Sequence, residues 1–380
     1  MPKETAIDYV WDPYIMNKGQ DFLPFWEKLL TTSSERNILY ILGKGFDPRM
    51  CTGLQSILQI KGKGKRNCML IAFNEGPNSP SEELLEQVYK NEEILKRIIS
   101  NRGQLITKDV QMWSSKGFDR HRTSAANATK LFTNIKEISD YSDIVVDISS
   151  LPRAIYFSLI AKLLFLLDNE NVNINLHVVV CEDATLDKNI SEVGVDESAG
   201  FIPGFAASSI LSEGTSKVPK IWMPVLGENQ RIQLNKIFAF VNPDEICPVL
   251  PHPSVDPRRS DNLLLSYRDL IFDQWLVEPR NIVYATEQNP FDVYRQIVNV
   301  VIRYNKALRP LGGCKVAISA QSSKLISIGA LLAAYDLRSY KNCKQVGIVH
   351  IESLGYDMSR SLNTSGELFS LWIRGDCYAP

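Results

Sequence analysis

From Asn37 onward the chain alternates short apolar runs with longer amphipathic segments. Asn37–Leu42 (NILYIL), Cys68–Phe73 (CMLIAF), Asp143–Ile148 (DIVVDI) and Asn173–Cys181 (NINLHVVVC) read as strands, with Gln104–Lys108 as a further one. Between them, Ser81–Ser100 repeats apolar residues at spacings of three and four, and Ser79 or Ser81 can cap it ahead of a Glu-rich first turn. Asn127–Ser139 and Pro152–Leu167 also read as helices, the latter with proline near its first turn. Strands that are continuously apolar, rather than alternating, belong to a parallel sheet covered on both faces.

The pattern changes over 183–217, which is rich in Gly, Ser, Ala, Asp and Glu and has no period. It reads as a linker, a lid or a crossing segment. Beyond it Ile221–Leu226, Ile246–Leu250, Asn281–Thr286, Cys314–Ser319 and Val346–Glu352 read as strands. Asn229–Phe240, Pro290–Leu308 and Ser323–Leu337 read as helices. Pro248, Pro251, Pro253 and Pro257 punctuate an irregular stretch, and Leu368–Arg374 suits an antiparallel edge strand. The expected fold class is therefore α/β, with two Rossmann-like halves whose mostly parallel sheets are covered by helices. The expected division is an aromatic N-terminal arm (1–36), a Rossmann-like domain (37–182), a linker or lid (183–219) and a second α/β domain (220–380). Trp11, Tyr14, Phe22, Phe25 and Trp26 make the arm too aromatic for a free tail, so they pack on the domain or on a protein partner.

Composition narrows the class but not the chemistry. The 380 residues carry 42 Lys+Arg against 43 Asp+Glu, a net charge of -1, so nucleic-acid binding is not indicated by charge. Hydrophobic residues at 44% supply a core. The seven cysteines have no metal-site or redox spacing and read as buried thiols of a reducing, cytoplasmic compartment. The longest apolar run, Ile155–Leu167, is interrupted by Ser158 and Lys162 and falls short of the ~20 residues a bilayer span needs. His121, His177, His252 and His350 are scattered, with His177 and His350 inside apolar strands as core histidines. No metal set and no particular cofactor is indicated.

In open parallel sheets ligands bind beyond the carboxyl ends of strands. Three stretches there combine small, hydroxylated and cationic residues. Gly43-Lys44-Gly45-Phe46-Asp47-Pro48-Arg49 offers close backbone approach through Gly43 and Gly45 and positive charge from Lys44 and Arg49. Its spacing matches neither a dinucleotide fingerprint nor a P-loop. Asp147-Ile148-Ser149-Ser150-Leu151-Pro152-Arg153 offers a carboxylate, two hydroxyls and a cation at a helix start. Ser319-Ala320-Gln321-Ser322-Ser323-Lys324 offers Ser322, Ser323 and Lys324. Asp47 and Asp147 are the candidate catalytic bases. Plain helix capping accounts for the serines equally well. The loop at 113–122 adds Trp113, Phe118, Arg120 and Arg122 as a surface for a base and its phosphates, and Lys61–Arg66 is a basic turn.

The strand–loop–helix order, with the loops at 43–49, 147–153 and 319–324, resembles the broad Rossmann-like group. More loosely it is similar to the duplicated α/β sensor domains of bacterial defence systems that bind cyclic oligonucleotides. The resemblance is architectural and transfers no residue. The three strand-end loops themselves point to a cytoplasmic module that binds a nucleotide or phosphorylated small molecule, with a sensor of such a defence system as one role, and with the loops converging on one anion pocket. A hydrolase or transferase acting on a nucleotide-type substrate, and a structural subunit of a larger complex, are the two other readings.

Overall fold

The computed structural model describes residues 7–32, 35–74, 79–114, 121–170, 172–187, 189–205, 210, 218–340, 345–358 and 366–378. The chain forms two compact α/β units. The first comprises Ile15–Gly204 and His350–Ala379; the second comprises Met1–Tyr14, Phe205–Val349 and Pro380.

The first unit is built on β1 (Ile15–Lys18), β2 (Ile38–Gly43), β3 (Arg66–Asn74), β4 (Leu105–Gln111), β5 (Asp143–Asp147), β6 (Asn175–Glu182) and β16 (Glu367–Arg374). They lie in the order β1-β16-β6-β5-β2-β3-β4, with β2 to β6 parallel. Every residue of β2 and β5 is buried, as a sheet sandwiched by helices demands. The helices are α1 (Phe22–Thr32), α2 (Thr52–Leu58), α3 (Leu85–Ile99), α4 (Ser124–Ala128), α5 (Arg153–Glu170) and the single turn α6 (Ala184–Asp187). Helix α5 is buried almost all round, from Ala154 to Leu167. Ser79 accepts from the Ser81 amide and starts a 3-10 turn that leads into α3.

At the amino end of this sheet the carboxylate of Asp143 accepts from Arg36 (3.0 and 3.1 Å) and Asn175 (3.0 Å) and lies 3.3 Å from His177 Nε2. His177 is fully buried, with the Trp26 ring 4.9 Å and the Trp372 ring 5.0 Å away. The core-histidine reading of His177 thus takes the form of a buried imidazole–carboxylate pair in an aromatic box.

The second unit contains β9 (Lys220–Val225), β10 (Glu245–Ile246), β11 (Val249–Pro251), β12 (Val283–Ala285), β13 (Lys315–Ala320) and β14 (Val346–His350). The order β12-β11-β9-β13-β14 is parallel throughout, and β10 also pairs with β9. Its helices are α7 (Arg231–Val241), α8 (Arg259–Ser266), α9 (Pro290–Ala307) and α10 (Lys324–Leu337). Both units therefore share one strand order, third-second-first-fourth-fifth, as in doubly wound dinucleotide-binding folds.

The aromatic arm is divided between the units. Trp11 meets Tyr294 edge-to-face at 5.1 Å and Tyr14 stacks on Phe291 at 4.6 Å, all in the second unit. Phe22 and Trp26 enter the hydrophobic core of the first.

Two expectations are corrected, and one segment gains detail. Asn127–Ser139 is not one helix: α4 ends at Ala128, and a capping box at Asn134, closed by Glu137, starts a separate 3-10 turn. Within 183–217, read as a linker, a lid or a crossing segment, the described residues contain α6, β7 (Ile190–Val195) and β8 (Gly200–Phe201), while 188, 206–209 and 211–217 lie outside the described residues. Leu368–Arg374 is antiparallel as expected but lies inside the sheet, because β1 pairs with its outer side.

Candidate functional site

In each sheet the chain winds outward from the first strand, then returns to its other side. The resulting switch points, between β2 and β5 and between β9 and β13, are where doubly wound folds open a crevice. In the first unit both predicted loops meet there. A Cβ on Gly43 would come within 3.0 Å of the Ser150 carbonyl oxygen, and one on Gly45 within 3.1 Å of Ser150. Ser150 Oγ donates to the Gly43 carbonyl at 2.7 Å. Glycine suits both positions because the Ser150 main chain comes this close, and a larger residue would have to push it aside.

The charges brought to this point are already engaged. Arg49 Nη2 lies 2.7 Å from Asp47 and 2.7 Å from Asp187, Nε bonds Asp47 at 3.0 Å, and Nη1 donates to the Cys181 carbonyl at 3.2 Å. Burial lowers the Arg49 pKa, but Asp47 and then Asp187 outweigh it and raise it above the ordinary value. Asp47 also accepts from the Arg49 amide (2.9 Å), capping the turn that follows. Lys44 pairs with Glu92 of α3 at 2.7 Å and lies over the Tyr89 ring. Asn91 clamps the glycine turn by donating to the carbonyls of Gly45 and Asp47, each at 3.0 Å.

Asp147 is buried and accepts from Tyr40 Oη at 2.5 Å and from the Ser149 amide at 2.9 Å. Burial, and then the Asp147 charge and hydrogen bond, push the Tyr40 phenol well up. Ser149 Oγ accepts from the Cys181 amide at 2.9 Å. Arg153 opens α5 among Tyr156, Glu192 and Tyr356.

A two-stranded antiparallel ribbon, β7 with β15 (Ser353–Met358), contacts the segments that follow successive strands of this sheet. Tyr356 reaches Phe46 (ring centroids 6.0 Å) and its amide donates to Ser81 Oγ (2.9 Å). Arg122 donates to the Ser353 carbonyl at 2.6 Å and stacks on Trp113 at 4.0 Å. Glu352 bonds Ser124 and lies 3.8 Å from Arg122. Burial, then the charges of Arg153 and Arg122, bring the half-buried His350 imidazole down to about 3, so it is neutral at physiological pH. Trp113 therefore offers one face to Arg122 rather than to a base. Phe118 and Arg120 of that predicted surface lie outside the described residues.

In the second unit the predicted loop 319–324 meets a turn that the sequence reading passed over. A Cβ on Gly227, just past β9, would come within 2.8 Å of Ser322 Cα. Tyr267 Oη donates to the Gly227 carbonyl (2.7 Å) and accepts from the Gln230 amide (2.9 Å). Ser323 accepts from the Ile326 amide at 3.4 Å and caps α10, which Lys324 opens. Arg259 holds Glu228 through two 2.7 Å bonds and also pairs with Glu287. Asn289 caps α9. A cavity of about 230 Å³ opens beside the Gly227 turn, lined by Glu228, Asn229, Arg231, Asn262, Leu263, Ser266 and Tyr267.

Sequence reasoning missed Gly227, Glu92, Asn91 and Tyr40. Gly227 carried a usable signal, a glycine directly beyond a buried strand; the other three sit within ordinary helix and strand patterns.

No protein-family model matches the chain, and no curated protein matches it. Among solved structures, a deacetylase of the teicoplanin biosynthesis pathway is similar at 13% identity and a TM-score of 0.28, over 44% of this chain and 78% of that one. Its zinc-inhibited form gives 10% identity and 0.25, over 44% and 78%. A universal stress protein from Archaeoglobus fulgidus DSM 4304 gives 8% identity and 0.23, over 82% of this chain and 94% of that one. At scores this low the likeness carries neither activity nor ligand across. Among the described residues no helix is long and apolar enough to cross a membrane.

Proposed function

We propose that the chain is a binding module for a nucleotide-like or otherwise phosphorylated small molecule. Its anion contacts are Gly43, Lys44, Gly45, Arg49, Ser149, Ser150 and Arg153 in the first unit and Ser322, Ser323 and Lys324 in the second. One observation carries this reading: each switch point sets a glycine turn against a hydroxyl-bearing helix start. In the first unit the cations are held by carboxylates, so a phosphate binds by taking the place of Glu92 at Lys44 or of Asp187 at Arg49. Binding is favoured over catalysis because Asp47 and Asp147 are buried and bonded to their own neighbours, which removes both as ready bases. A ligand that is held and not consumed suits a sensor, the role implied by the resemblance to defence domains.

The test is titration calorimetry of the full chain with AMP, ATP and cyclic dinucleotides, followed by chromatography of the recovered ligand. Saturable binding with intact ligand is expected, weakened about tenfold or more in Lys44→Ala or Lys324→Ala, since a hydrogen bond to a charged group is lost. Absence of heat and of any thermal shift with every nucleotide at millimolar concentration overturns the reading. Turnover of the ligand, abolished by Asp147→Asn, replaces it with the enzyme reading.

A further inference from the structure

The two-stranded ribbon of β7 and β15 lies across the edge of the first sheet where a doubly wound fold takes its ligand. It meets the segment after each of three parallel strands. After β2, Phe46 packs on Tyr356, with ring centroids 6.0 Å apart. After β3, Ser81 Oγ accepts from the Tyr356 amide at 2.9 Å, and Ser79 Oγ donates to the Leu354 carbonyl at 3.4 Å. Gly355 permits this approach, since a Cβ there would come within 2.7 Å of the Pro80 ring. After β4, Arg122 donates to the Ser353 carbonyl at 2.6 Å, and Glu352 bonds Ser124. Arg153, after β5, has Glu192 and Tyr356 of the ribbon among its neighbours.

The ribbon and its approaches also bring a carboxylate to each of three cations at this edge. Asp187, just ahead of β7, lies 2.7 Å from Arg49. Glu352, just ahead of β15, lies 3.8 Å from Arg122. Glu192, within β7, acts on the charge of Arg153. The cations come from loops after β2, β4 and β5, whereas the carboxylates all belong to one ribbon and its approaches. An entering anion would seek the same three cations, so the ribbon stands where the charge of a ligand would stand. Its fastening is weak. Two strands without a third are marginally stable by themselves. No residue of β7 is buried, and Ser191, Gly194, Leu354 and Asp357 are exposed. Ion pairs that water reaches are worth only a few-fold each.

We propose that the ribbon is a lid, latched over the carboxyl edge of the first sheet by Asp187, Glu192 and Glu352, and that an anion entering there takes their place and opens it. What opens the lid rests on the anion-binding reading above; the latch itself does not. An anion binds the open state better, because only there are the three cations unshared, and this difference in affinity is what a population shift requires. The lid gives a binding module its output: a charge held at Arg49, Arg122 or Arg153 becomes a movement of the backbone over 190–195 and 353–358.

The experiment is hydrogen exchange of the full chain, read by mass spectrometry on peptides over 190–195 and 353–358, with pyrophosphate titrated by calorimetry in parallel. Without ligand, the triple variant Asp187→Asn, Glu192→Gln, Glu352→Gln should exchange the ribbon about tenfold faster than wild type, as the loss of three part-exposed pairs predicts. Tyr356→Ala frees the ribbon from Phe46 and removes no carboxylate, and it should speed exchange as well. Peptides over β2 and β5 that exchange at the wild-type rate show that the sheet is kept. Pyrophosphate should speed exchange of the wild-type ribbon and bind both variants more tightly, by up to about tenfold, because the open state no longer has to be drawn from a closed one. The Tyr356→Ala arm separates an opened lid from the mere removal of negative charge. Ribbon exchange unchanged in either variant overturns the inference. So does pyrophosphate that binds and leaves the wild-type ribbon as it was, or an affinity unaltered in Tyr356→Ala. Faster exchange in both variants with no pyrophosphate binding to any of the three proteins upholds the latch and overturns the anion reading of the first unit.

Discussion

Replacing Arg49 with methionine separates a bracing role from a free anion site. Arg49 and Asp47 are 3% and 6% exposed, so neither charge has water to fall back on. The substitution removes the bonds to Asp47, to Asp187 and to the Cys181 carbonyl, and leaves Asp47 with the main-chain amide of residue 49. Breaking one side of a buried ion pair costs about 3–5 kcal/mol. Two features place Arg49→Met near the lower end. Asp187 is 43% exposed on its side chain and regains water, and methionine refills most of the space of the arginine stem. The expected loss is about 3 kcal/mol. Adding Asp47→Asn should recover about 1 kcal/mol or more, because the stranded carboxylate is then gone. The assay is urea unfolding, with hydrogen exchange of peptides over 38–58 to localise the loss to the first unit, since two units need not unfold as one. A variant within about 0.5 kcal/mol of wild type would refute the bracing argument. Arg49 would then be available to a ligand at no structural cost.

Two further outcomes follow from the buried groups. At Asp143 burial pushes the carboxyl up, but the His177 hydrogen bond and charge, with Arg36 and Ser142, outweigh it and hold the group at about 2. The sign is that of a depressed acid: its contribution, about 2 kcal/mol, is fully present above the unfolded value of ~3.9 and is lost as pH falls through about 2. Acid titration of Asp143→Asn, followed by circular dichroism, should therefore show a smaller drop in stability between pH 4 and pH 2 than wild type. Burial also pushes the thiols of Cys51 and Cys181 up to about 12 and that of Cys247 to about 11. Iodoacetamide at pH 8 should leave these three unmodified in the native protein and label them in urea, as peptide mass spectrometry would read.

The elements that the sequence states outright are those in which burial is a local property of the run. NILYIL, DIVVD and KVAIS carry continuous apolar cores, Ile38–Leu42, Ile144–Val146 and Val316–Ile318, so each announces a strand covered on both faces before any partner is known. Asn289 and Ser323 likewise stand where caps are needed, and both are caps. Asn127–Ser139 failed because its apolar residues imitate a helical period while Asn134 offers the backbone a competing turn. The ribbon of β7 and β15 was invisible for another reason. Glu192 and Tyr356 pair although they lie far apart in the sequence, and neither strand has a pattern of its own.

The candidate site divides along the same line. That Gly43, Gly45, Ser149 and Ser150 belong at the carboxyl ends of strands follows from their neighbours in sequence, because a turn and a helix start are short-range structures. What Lys44, Arg49, Asp147 and the unmentioned Gly227 do there depends on Glu92, Asp187, Tyr40 and Ser322, each supplied by a separate element of the fold. Sequence alone therefore determined the buried strands of the two parallel sheets, their class of sheet and the loops at their ends. Tertiary structure alone decided which charges are spent, which glycines are crowded and which cavity stays open, because a charge is neutralised by whatever lies nearest in space.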